Sequence, residues 1–127
     1  MAGDPKSLGD AFDNDLRLIV RGFVRHLPRC EAHVHREGEC VGVRVYRRRQ
    51  PRATARLPHS LDVAFLWEPA SVLRFLAISP QERLRAVDRF NDRIPHLIEG
   101  VSSVFHLDFA SGAQRTLGSV KVFLPDL

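Results

Sequence analysis

Apolar residues recur every three or four positions along the first part of the chain: Phe12, Leu16, Ile19, Val20, Phe23 and Leu27. That spacing places one apolar stripe on an amphipathic helix and predicts a helix over 8–27. Ser7 followed by Asp10 resembles a capping box, and Pro28 ends the segment. Asp10, Asp13 and Asp15 come early while Arg21, Arg25 and His26 come late, which suits the helix dipole. A strand over Leu16–Val24 is the competing reading, since Gly22 weakens a helix by about 1 kcal/mol.

The period then changes to two. With Glu37-Gly38 as a two-residue turn, Val34 faces Val41, Ala32 faces Val43 and Cys30 faces Val45. The other face sets Glu31 against Arg44, an opposite-charge match, with Arg29 against Tyr46 and His35 against Cys40. From Arg47 to His59 all periodicity is lost, and two prolines with five arginines mark an exposed connection. Alternation returns at Ser60–Trp67, where Leu61, Val63, Phe65 and Trp67 share a face, and predicts a third strand.

Pro69 suits the first turn of a helix that ends near Ile78. Ser79-Pro80-Gln81-Glu82 is a second helix start, with Ser at the N-cap and Glu three residues on. Leu84, Val87, Phe90 and Ile94 face inward, and Pro95 and Gly100 close this helix. The chain ends in a predicted hairpin: Phe105, Leu107 and Phe109 line one strand, and a loop over Ser111–Gln114 sets Phe109 against Thr116 and Phe105 against Val120. The expected fold is α+β. A five-stranded, mainly antiparallel sheet carries an N-terminal helix and a broken central helix on one face, in the order α-βββ-α-ββ. Residues 1–7 are expected to be a flexible N-terminus and 8–127 one domain, which is long enough to bury a core.

Charge changes this picture in one place. The segment 29–59 holds eight Arg and three Glu, a net +5, while 1–28 balances and 60–127 carries −1. Arg47, Arg48, Arg49, Arg52 and Arg56, with Arg44 on the adjoining strand, form a candidate site for an acidic partner or phosphate, and Tyr46 adds a stacking surface. The chain has 17 Arg against Lys6 and Lys121. The planar guanidinium suits carboxylates and phosphates, though a GC-rich genome produces the same bias. No apolar run reaches the ~20 residues that span a bilayer, and the N-terminus has no signal-peptide pattern. The expected location is intracellular, cytoplasmic or nuclear.

Catalytic and metal motifs are weak. Cys30-x2-His33-x-His35-x4-Cys40 has zinc-ligand residue types, but the hairpin parity turns Cys30 away from the other three. The same parity disfavours a Cys30–Cys40 disulfide. His106 and Asp108 are read as a surface pair on one strand face. His59-Ser60-Leu61-Asp62 has a triad's residue types without a nucleophile elbow, and no Gly-rich phosphate loop is present. The reading is a non-enzymatic chain with no metal and no cofactor.

The order helix, three strands, helix, two strands is similar to that of type III secretion chaperones. That resemblance implies a small homodimer holding segments of other proteins against its sheet. This chain differs from the family in being basic and in having no C-terminal helix. Leu16-Arg17-Leu18-Ile19-Val20-Arg21-Gly22 and Asp108-Phe109-Ala110-Ser111-Gly112-Ala113-Gln114-Arg115 look like pieces of the adenoviral early-region-four open-reading-frame-three family. That likeness implies a viral nuclear scaffold, and it requires the first piece to be a strand. The expected function is a protein-binding module, adaptor, chaperone-like or scaffold, acting as a homodimer. The runner-up is a nucleic-acid binder that contacts the phosphate backbone through Arg47–Arg56.

Overall fold

The computed structural model describes residues 5–47, 61–114 and 118–127. Helix α1 runs over Pro5–His26, followed by strands β1 (Glu31–Glu37), β2 (Cys40–Arg47) and β3 (Leu61–Trp67). Helices α2 (Pro69–Leu76) and α3 (Pro80–Phe105) follow, then β4 (Leu107–Asp108), β5 (Ala113–Gln114) and β6 (Val120–Phe123). The class is α+β, with a four-stranded mixed sheet in the order β1-β2-β3-β6 and a separate β4-β5 ladder. It is not the single five-stranded, mainly antiparallel sheet expected, although two of the three pairings in the larger sheet are antiparallel. The last hairpin does not form as expected: a two-residue ladder sets Leu107 opposite Gln114 and Asp108 opposite Ala113, and Thr116 lies outside the described residues. Phe105 ends α3, and β6 lies parallel to β3, Val63 opposite Val120 and Phe65 opposite Val122. A parallel pair needs a crossover connection, and the two helices α2 and α3 supply it.

The α1 stripe is as read: Phe12, Leu16, Ile19 and Phe23 are buried. The helix begins at Pro5, so Ser7 lies within it and is not its cap. Leu16–Gly22 are helical, so the strand required by the adenoviral likeness is absent. The hairpin keeps its two faces, but the register differs. Val34 pairs with Val43, Ala32 with Val45 and Glu37 with Cys40, which makes the turn Gly38-Glu39. Gly38 has φ +60° and takes the first turn position, where a type II′ turn places glycine. Glu31 therefore faces Tyr46 and not Arg44. A shift of two residues leaves the side-chain parity intact, so the apolar residues stay on the core side.

α3 continues through Pro95 and Gly100. Ser79 caps it, its Oγ accepting from Glu82 N–H at 3.2 Å. Pro95 has no N–H, so the Asn91 carbonyl loses its helical donor. His26 Nε2 lies 3.1 Å from that oxygen and replaces the donor. A carbonyl can only accept, so Nε2 carries the hydrogen. Asn91 Nδ2 in turn donates to Leu18 O at 3.2 Å. A Cβ on Gly22 would meet the Asn91 amide group, so the glycine makes room for this bridge between α1 and α3. The helices cover one face of the sheet through an aromatic cluster. Phe12 and Phe90 pack on Trp67 at 6.0 and 5.3 Å, and Phe23 stacks on Phe65 at 5.0 Å.

Candidate functional site: the open face of the sheet

Strand parity decides what the face turned away from the described helices displays. Residues opposite one another across the ladders form rows: Glu31, Tyr46 and Asp62; then His33, Arg44, Ala64 and Lys121; then His35, Gly42, Leu66 and Phe123. None of the described helices packs there. Arg44 grips Asp62 with two parallel hydrogen bonds of 2.8 Å. That pairing raises the Arg44 pKa above its ordinary value. The same guanidinium lies over the Tyr46 ring, 5.1 Å from its centroid, a cation–π geometry. The His33 ring lies 5.7 Å from the Tyr46 ring.

A second ion pair reaches across the face. Lys121 Nζ, on one outer strand, meets Glu37 Oε1, on the other, at 2.5 Å. The hydrogen bond from Lys121 holds the Glu37 carboxyl below its usual range, and His35 adds to the effect. Between these outer columns Ala64 and Leu66 are buried, 3% and 1% exposed. Gly42 sits beside Leu66, and a Cβ there would collide with the Phe65 carbonyl oxygen. Phe123, at the end of β6, is 57% exposed.

The sequence-derived site residues fare differently. Arg44 and Tyr46 do come together, but Asp62 neutralises the arginine. Arg47 donates to the Ala110 carbonyl and packs against Gly112, which ties β2 to the β4–β5 turn. Arg48, Arg49, Arg52 and Arg56 lie outside the described residues. Lys121, Phe123 and Glu37 were missed. They come from segments more than 80 residues apart, and only the parallel β3–β6 pairing brings their strands into one sheet. The exposed Phe123 in the alternating Val120–Leu124 run was the one available signal.

The other candidate chemistry resolves into structural roles. Cys30 turns toward the core, 7% exposed, its Sγ 3.9 Å from Phe109 O. His33, His35 and Cys40 share the open face, yet among the described residues no group of three His, Cys, Asp or Glu is placed to hold a metal. Burial pushes both thiols above their ordinary pKa, and nearby glutamates add to this at Cys40. His106 and Asp108 do not share a strand face. His106 caps α3 in the left-handed conformation, with φ 55° and its N–H donating to Ser102 O. The Asp108 carboxylate accepts from the Ala110 and Ser111 N–H groups and from the Ser111 hydroxyl, and these bonds hold it below the usual range. No described helix is long and apolar enough to cross a membrane.

No protein-family model matches the sequence, and no curated protein matches it. Among solved structures, the chain is similar to the solution NMR structure of BPSL1050 from B. pseudomallei. The two are 20% identical, with a TM-score of 0.72 over 100% of this chain and 95% of that one. At that identity the likeness shows the fold.

Proposed function

We propose that the chain is a non-enzymatic protein-binding module, adaptor- or chaperone-like, that forms a homodimer through the open face of its sheet. The observation that carries this reading is the charge balance of that face. Its described Arg and Lys residues, Arg44 and Lys121, each meet a carboxylate, Asp62 and Glu37. His33 and Phe123 are exposed on the same face. The fully buried centres of protein interfaces are rich in aromatic residues and Arg and poor in unpaired charge. A nucleic-acid backbone selects the opposite surface, one with uncompensated cations. The similarity of element order to type III secretion chaperones supports the same reading. The alternative, phosphate binding through Arg47–Arg56, rests on the +5 of residues 29–59.

Light scattering across a dilution series tests the proposal. The parent should show twice the chain mass, unchanged by added salt. Tyr46→Asp and Phe123→Asp should each give a folded monomer. A parent that stays monomeric at every concentration, or variants that remain dimers, would remove the reading. Binding to nucleic acid that weakens steeply with salt would replace it with the alternative.

A further inference from the structure

The middle of α3 and the last residues of the sequence enclose a cleft of about 470 Å³, within the usual range of small-ligand sites. Its floor is apolar. Phe90 and Leu97 lie two turns apart on α3, and Leu124 and Leu127 face them. Its rim carries two guanidinium groups: Arg89 and Arg93, with His96 beyond them, stand at spacings of four and three, which brings them to one side of the helix.

Both walls are fixed. The Phe90 ring packs against Trp67 at 5.3 Å and Phe23 at 6.1 Å. The facing segment is pinned three times. Leu124 N–H donates to Leu66 O at 2.8 Å, Trp67 Nε1–H donates to Pro125 O at 3.0 Å, and Arg74 holds Asp126 at 2.6 and 2.8 Å. Asp126, a side-chain carboxylate beside the cleft, is therefore already paired. Among the described residues Arg89 and Arg93 have no ion-pair partner.

An apolar floor under two uncompensated guanidinium groups is complementary to an anionic head on an aliphatic tail. A carboxylate matches the guanidinium fork with two parallel hydrogen bonds, and the tail removes the floor from water. An inorganic anion would leave the floor wet, and a neutral hydrocarbon would leave the arginines unpaired. We infer that this cleft binds an aliphatic monocarboxylate of the fatty-acid class, independently of what the open sheet face binds.

Decanoate, titrated below its micelle concentration into the full chain, is the probe, followed by calorimetry and by amide shifts. Saturable one-to-one binding should shift the amides of Leu97, Leu124, Asp126 and Leu127. Decanol should bind at least tenfold more weakly, and inorganic phosphate should not compete. Arg89 and Arg93 are exposed, so the double variant Arg89→Gln, Arg93→Gln keeps the parent's far-ultraviolet circular dichroism. It should lose at least tenfold in affinity, the equivalent of about 1.4 kcal/mol. Absence of saturation, equal binding of decanol, unchanged affinity in the double variant, or shifts confined to the open sheet face would each overturn the assignment.

Discussion

A Cβ on Gly42 would run into the Phe65 carbonyl oxygen, a backbone atom that cannot swing aside. Gly42→Ala should therefore cost at least about 3 kcal/mol in denaturant unfolding, beyond the usual range for a point change. At Asp126 the effect is one of pH. Its hydrogen bonds from Arg74, with help from Ser71, lower its pKa from an ordinary 3.8 to about 2. A carboxylate whose folded pKa is depressed stabilises the fold above its unfolded pKa and loses that contribution as pH falls through the folded value. Thermal melts of the parent and Asp126→Asn should thus differ at neutral pH, and the difference should close between about pH 4 and pH 2. A constant gap across that window would mean that Arg74 pairing is not what Asp126 contributes. Among single residues the sequence was most misleading at His106 and Asp108. Their spacing fits a strand face, whereas the backbone turns left-handed between helix and strand, a conformation rarely used outside glycine.

At the scale of elements, the α3 interior is the sharpest departure from the sequence reading. Proline and glycine usually punctuate a helix, and Pro95 with Gly100 invited an end near residue 95. The apolar positions Ile94, Ile98, Val101 and Phe105 continue at helical spacing through both. What lets the helix continue is not local. His26, on α1, donates to the Asn91 carbonyl that Pro95 leaves without a partner. A double-mutant cycle checks this. His26→Ala alone should lower stability by about 1 kcal/mol. In a Pro95→Ala background, where the alanine N–H takes over, the same change should cost close to nothing. Additive effects would show that the two residues act separately. Gly22→Ala belongs to the same junction. Helix propensity favours alanine by about 1 kcal/mol, but the methyl group displaces the Asn91 amide, so the net outcome should be a loss of stability. Elements set by local pattern were legible, including the α1 stripe, the Ser79 cap and the third strand. The hairpin faces were legible too, while its register was not, because parity survives a two-residue shift and only the Gly38 turn fixes the pairing.

At the scale of the whole molecule, the parallel placement of β6 against β3 determines both surfaces of interest. It brings Lys121 and Phe123 onto the open face opposite Glu37, and it leads the last residues back against α3 to wall the carboxylate cleft. Neither surface could be read from the sequence, because each joins residues far apart in the chain. The basic segment stood out by composition, yet three of its described arginines, Arg36, Arg44 and Arg47, make internal contacts, with Asp10, with Asp62 and with the Ala110 carbonyl. The central claim is that two copies meet through the open face. A dilution series of amide spectra locates that contact without altering the protein. The account predicts concentration-dependent shifts concentrated at His33, Gly42, Arg44, Tyr46, Ala64, Leu66, Lys121 and Phe123, with α1 and α3 unmoved. Shifts confined to the helical layer, or spectra that do not change with concentration in a chain of monomeric mass, would contradict it.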